Sequence, residues 1–158
     1  MANGARANKT GNMLELNVED TLKRYGYTEF QGNKKDVFVN RKNMKDKQYT
    51  KQLLVGETIY KSKRKVDFMV FNQNNFPDGL IIECKWQQSG GSVDEKYPFL
   101  YFNILKTGVP TIVLLDGGGY KPAAKEWLAD QAKANQKLLL GVWDMAEFQR
   151  QTNNGFLG

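Results

Sequence analysis

Histidine is missing from this 158-residue chain, and cysteine occurs once, at Cys84. Without imidazole the chain runs no Ser-His-Asp or Cys-His catalysis, builds no His-ligated zinc site and has no histidine general base. A lone cysteine closes no intrachain disulfide and no multi-cysteine metal site, which fits a reducing compartment and disfavours secretion. No apolar run approaches the length of a membrane span, and Met1 to Thr10 lacks the apolar centre of a signal peptide. An intracellular protein with no membrane partner, cytoplasmic or nucleoid-associated, is therefore expected. What remains to do chemistry is carboxylates and lysines.

Charge of one sign is in short supply: 17 acidic residues face 23 lysines and arginines, leaving +6 and a pI near 9.3. That balance favours an anionic partner such as nucleic acid, against the bland alternative of an ordinary basic soluble protein. The length suits one domain with a real core. Residues 1–10 are polar, carry Arg6 and Lys9, and read as a flexible basic arm preceding a single domain over 11–158.

Leu14, Val18 and Leu22 recur at helical spacing through Asn12 to Arg24, with Gly26 where a helix would stop. Asp36 to Asn40 admits a short strand, and Arg41 to Lys47 is a charged loop. Leu53 to Tyr60, Lys65 to Phe71 and Gly79 to Trp86 read as strands of a meander. Alternation then follows: a helix over about Asp94 to Lys106, a strand Thr111 to Leu115, a helix Pro122 to Ala134, a strand Leu138 to Val142. A short helix N-capped by Asp144 ends near Arg150, and Gln151 to Gly158 should fray. The pattern predicts an α/β fold, a central mixed sheet with an N-terminal antiparallel meander, flanked by helices. Trp127 and Trp143, with Phe99, Phe102 and Phe148, fall at positions suited to core packing, with base stacking by one of them as the alternative, and Asp116 to Tyr120 reads as a plain loop without the P-loop lysine.

The chemistry concentrates in Lys65-Val66-Asp67 and Ile82-Glu83-Cys84-Lys85. On a strand Glu83 and Lys85 share a face, while Cys84 points to the opposite layer. Pairing across a loop centred between Asn75 and Phe76 sets Asp67 opposite Cys84, and a one-residue shift brings it level with Glu83 or Lys85. Two carboxylates, a backbone carbonyl such as that of Cys84 and waters make a typical Mg²⁺ site. A lysine beside it orients water and stabilises negative charge developing on a phosphate, so the set suits metal-dependent phosphodiester cleavage. The alternative is a cross-strand ion pair. Three charges on a strand as apolar as Leu80-Ile81-Ile82 are costly unless paired or metal-bound, which weighs toward function.

These residues, in this order of elements, resemble the PD-(D/E)XK nuclease superfamily with its restriction-endonuclease-like fold. The resemblance assigns the first acid to Asp67, the second to Glu83 and the lysine to Lys85, although Val66 stands where the literal motif has proline. Pro77-Asp78 spells the motif but lies in Phe76-Pro77-Asp78-Gly79, which reads as a tight turn, so Asp67 is preferred. Gly11-Asn12-Met13-Leu14-Glu15 is similar to the opening helix of archaeal-type Holliday junction resolvases, which implies Glu15 at the metal site, with Glu19 competing one turn later. The loop from Trp86 to Phe99 resembles that of restriction-type relatives. Within it Gln87, on the face of Glu83 and Lys85, is a candidate to orient water or phosphate, and Lys96 a candidate phosphate contact.

The resemblance implies a Mg²⁺-dependent DNA endonuclease, with Mn²⁺ substituting, that leaves 5′-phosphates and works as a homodimer. Lys61, Lys63, Arg64 and Arg41 are the expected DNA contacts. Two other readings stand beside it: a structure-selective nuclease on branched DNA, and a noncatalytic nucleic-acid-binding module that keeps the fold.

Overall fold

The computed structural model describes residues 2–88, 90 and 92–158, apart from the side chains of residues 2–11, 92 and 93. One mixed sheet holds strands β1 (Thr28–Glu29), β2 (Gln48–Glu57), β3 (Lys63–Asn72), β4 (Phe76–Trp86), β5 (Thr111–Asp116) and β6 (Leu139–Trp143), side by side in chain order. β2, β3 and β4 are antiparallel. β5 and β6 then run parallel to β4. Parallel neighbours need crossovers, supplied by helices α2 (Lys96–Thr107) and α3 (Pro122–Ala134). The expected α/β, restriction-endonuclease-like arrangement is thus present.

Both faces are covered. Val18 and Leu22 of α1 (Ala2–Arg24) and Phe148 of α4 (Met145–Asn153) pack on Tyr49, Phe68, Val70, Leu80, Ile82, Ile112 and Leu114. On the other face α2 and α3 bring Tyr97, Leu100, Ile104 and Leu128 onto Val113, Leu115 and Leu139. Val37, with Phe30, Phe38 and Met44, closes that face over Leu53, Val55, Val66, Met69, Phe71 and Ile81. Burial on both sides explains why β4 reads as a continuous apolar run until Glu83.

Several expectations differ from what is found. Helical backbone begins at Ala2 rather than near Gly11; the side chains of Arg6 and Lys9 lie outside the described residues. Asp36 to Asn40 forms turns, not a strand, and buries only Val37. The tail does not fray: Leu157 is fully buried and its carbonyl accepts from the Tyr27 hydroxyl at 2.7 Å. The β3–β4 turn is Gln73 to Asn75, so Pro77-Asp78 lie inside β4. A bulge between the pairs Val70↔Leu80 and Asn72↔Phe76 accommodates them, since Pro77 offers no N–H to a ladder.

Both β2 and β3 change face at one level. Tyr49 faces α1 whereas Leu53 and Val55 face the other layer, and Phe68 faces α1 whereas Val66 does not. The two switches meet where Gln52, between the pairs Lys51↔Phe68 and Leu53↔Val66, stands level with Asp67. Gln52 has a φ of 51°, a left-handed conformation that side-chain-bearing residues seldom adopt.

At the β4 bulge, Gly79 has a φ of 84°, and a Cβ there would lie 2.6 Å from Met69 Cε. Gly79→Ala is expected to lower stability by about 1–3 kcal/mol, read as a fall in the urea midpoint at unchanged m-value.

Candidate active site

The site forms where β3 and β4 part. Their ladder runs to Phe68↔Ile82, while β3 continues beside β2 to Glu57↔Lys63. Beyond the last pair, Asp67 Oδ2 accepts the Cys84 backbone N–H at 2.7 Å. Its other oxygen, Oδ1, accepts from Gln52 Nε2 at 3.3 Å. Extending the register sets Asp67 level with Glu83, one of the two shifts the sequence allowed. Because it sits in the notch rather than within a ladder, its carboxylate reaches Glu83 of β4 and also Glu15 of α1.

Glu83 is 4 % exposed. Its Oε1 accepts from Arg64 Nη2 at 3.1 Å, and Lys85 Nζ lies 3.8 Å from Oε2. Burial raises its carboxyl to about 7, with the charge of Lys85 opposing and that of Asp67 adding to the rise. Burial and then Asp67 likewise push Glu15 above the ordinary glutamate range. Asp67 thus crowds both Glu83 and Glu15, with Lys85 and Arg64 compensating the first and Lys51 and Lys85 the second. The Cys84 thiol is pushed up by burial first and by these carboxylates next, so it stays protonated and is no nucleophile.

Asp67, Glu83, Lys85, Glu15 and the backbone of Cys84 therefore come together. Glu19 does not join them: against the effect of burial, the Tyr49 hydroxyl at 2.6 Å and the Lys51 ammonium hold it below its ordinary value. Asp78 stands at the far end of β4, paired with Lys42 at 3.3 Å. Gln87, the candidate to orient water or phosphate, is buried past the end of β4, where Oε1 accepts from the Tyr97 hydroxyl and Nε2 donates to Gly119 O. It ties the Asp116 to Tyr120 loop to β4 instead. Ser89 and Gly91 of the expected phosphate-approaching loop lie outside the described residues.

Among the expected DNA contacts, Lys61, Lys63 and Lys96 are exposed. Lys63 and Lys96 line a cavity of about 330 Å³ that also receives Glu83 and Lys85. Arg64 is a correction: it is buried, donating to Glu83, Asn103 O and Thr107 Oγ1, so its guanidinium is engaged within the protein rather than held out in solvent. Its role was missed, although alternation marks it, since Arg64 and Val66 share the inward parity and Lys63 and Lys65 the outward one. Arg41 is half-buried over the Phe38 ring, donating to Phe38 O, and is not among the residues lining that cavity. Gln52 was missed too. Its left-handed backbone has no local signal in the sequence.

No three histidine, cysteine or acidic groups among the described residues enclose a common metal position. The donors present are nonetheless hard oxygens. A divalent cation bound by one or two carboxylates and otherwise by water and backbone oxygen fits such an open set. Burial and the neighbouring Asp67 charge raise the proton affinity of both Glu15 and Glu83, which marks a position where positive charge is lacking.

A family model described as a PD-(D/E)XK nuclease superfamily domain matches residues 6–156. No match was found among curated proteins or among solved structures.

The Glu83 carboxyl holds its proton to about pH 7 in the fold, against the ordinary glutamate value of 4.5 in the unfolded chain. The folded form binds more protons in that window, so without divalent ions stability falls as pH rises from about 4.5 through 7, by about 3 kcal/mol at most. Denaturation of wild type and Glu83→Gln across that range should show the slope in wild type and lose it in the variant. Arg64→Ala, which strands the buried carboxylate, is expected to cost about 3–5 kcal/mol.

Proposed function

The chain belongs to the PD-(D/E)XK nuclease superfamily, and on that premise we propose that it is a metal-dependent DNA endonuclease. The observation that carries the reading is the convergence of Asp67, Glu83 and Lys85 at the parting of two strands. Asp67 and Glu83 would hold Mg²⁺, with Mn²⁺ as substitute, joined by Glu15 and the Cys84 carbonyl. Such an ion, when bound, polarises the scissile phosphate and makes the attacking water more acidic.

The chain's own residues do the rest. Arg64 anchors Glu83 from beneath with one fork of a rigid guanidinium, which leaves Oε2 directed at Lys85. Lys85 is 40 % exposed at its side chain, so its ammonium can meet both the attacking water and the negative charge that develops on the phosphate oxygens. The Cys84 N–H holds Asp67 still, and Gln52 holds its second oxygen. Lys61, Lys63 and Lys96 supply phosphate contacts, consistent with a net charge of +6. The products would carry 5′-phosphates, and a homodimer would cut both strands.

A second substrate reading is favoured by the contact of Glu15 with Asp67. A glutamate from the first helix at the metal site is what the resemblance to junction resolvases implies, so branched DNA is a competing substrate for the same chemistry.

Purified protein incubated with supercoiled, linear and four-way-junction DNA should cleave with Mg²⁺ and not with EDTA. Asp67→Asn and Lys85→Ala should each lower the rate on the order of 10²–10³-fold. Cleavage unaffected by Lys85→Ala would overturn the site, and no metal-dependent cleavage of any substrate would overturn the function. Binding in EDTA should weaken steeply between low and physiological salt.

A further inference from the structure

The β2–β3 hairpin holds an aromatic ring out in solvent. Tyr60, at its tip, is 77 % exposed. Its ring stacks on Phe99 of α2 with centroids 5.1 Å apart and planes 26° from parallel. Phe99 covers one face and leaves the outer face to water.

The hairpin that presents Tyr60 is pinned. Ile59 N–H donates to Asn103 Oδ1 at 2.8 Å and Lys106 Nζ donates to Thr58 O at 2.9 Å, both from α2. Thr58 and Ser62 share a hydroxyl bond of 2.7 Å across its neck, and Lys61 N–H donates to Thr58 O with a φ of 63°. An exposed tyrosine held this firmly adds nothing to either core. Preorganising an aromatic face lowers the entropic cost of receiving a flat partner.

The surroundings identify that partner. Phe99 lines the same cavity as Glu83 and Lys85, so the aromatic step stands at the mouth of the catalytic cleft. Lys63, Lys65 and Lys96 ring it, and none of them is held by an ion pair among the described residues. A flat face beside free ammonium groups matches a nucleotide: base on the ring, phosphates on the lysines. Bases within a duplex are already stacked on one another and offer no face.

We propose that Tyr60, backed by Phe99, is a stacking platform for an unpaired base of the substrate strand, so that the cleft prefers single-stranded or splayed DNA over continuous duplex. The substrate class rests on the nuclease reading; the binding test does not. Fluorescein-labelled oligothymidylate and a blunt duplex of equal length are titrated with the full chain in EDTA and followed by anisotropy. Wild type should bind the single strand more tightly. Tyr60→Ala should weaken single-strand binding about tenfold while duplex binding and Tm stay unchanged, and Tyr60→Trp should restore it. Single-strand binding unchanged in Tyr60→Ala, equal losses on both substrates, or no rescue by tryptophan would overturn the proposal. Since nothing is cleaved in EDTA, absence of nuclease activity would leave a positive result standing, and a negative result would leave the metal-site assignment untouched.

Discussion

The hydrogen bond from the Cys84 N–H to Asp67 Oδ2 governs the geometry of this molecule. It stands where β3 and β4 stop pairing, a place where a backbone donor would otherwise face an open notch. Such a donor left unpaired at a half-buried position costs about 1–3 kcal/mol. The carboxylate relieves that cost and in return is held by backbone rather than by another side chain. A group anchored this way has few rotamers open to it, which is what a positioned ligand or catalytic carboxylate requires. The structural role and the proposed chemical role of Asp67 therefore support each other.

Glu83 is the opposite case. Its strand is buried on both faces, so its charge is opposed by desolvation and by Asp67. Lys85 cannot offset this alone, since its ammonium lies 3.8 Å away and reaches into solvent. Arg64 adds the closer contact, at 3.1 Å, from a guanidinium that tolerates burial and spreads its donors over Glu83, Asn103 and Thr107. Removing Arg64 takes from Glu83 its 3.1 Å donor, and removing Glu83 leaves a buried guanidinium without its carboxylate. It also fastens α2 to β3, and thus couples the candidate site to the helix that carries Phe99 and Lys96.

The mixed sheet, its meander strands and the shared face of Glu83 and Lys85 were legible because they depend on local pattern. Period-two alternation placed Glu83 and Lys85 on one face, apolar runs marked β4 and β5, and Asp144 signalled its helix through an N-cap that accepts from Glu147 N–H. What escaped was set by contacts distant in sequence. Gln87 shares the strand's parity, but β4 ends at Trp86, and a tyrosine ten residues on and the Gly119 carbonyl claim its amide. Arg64 looked like surface charge among Lys61, Lys63 and Lys65 until the layer beneath was known. Pro77 read as a turn because its missing N–H suits one equally well at a bulge. The C-terminal residues, polar and glycine-rich, gave no hint that the Tyr27 hydroxyl holds them.

Gln52 connects the two ends of the cleft. Its left-handed backbone lets β2 change face at the level where β3 does the same, and a residue so placed costs about 1–3 kcal/mol unless its surroundings enforce it. The enforcement comes from both sides. Tyr49 and Phe68 are fixed under α1, while Leu53, Val55 and Val66 are fixed in the other layer. Were the strands to run on without the switch, Leu53, Val55 and Val66 would turn toward the α1 side and Arg64 would lose Glu83. With it, the outer half of the hairpin turns onto α2, where Asn103 and Lys106 catch its tip and Tyr60 comes to rest on Phe99. The strain at Gln52 thus maintains the distance between a carboxylate notch and an aromatic step, and the amide of the same residue steadies the carboxylate.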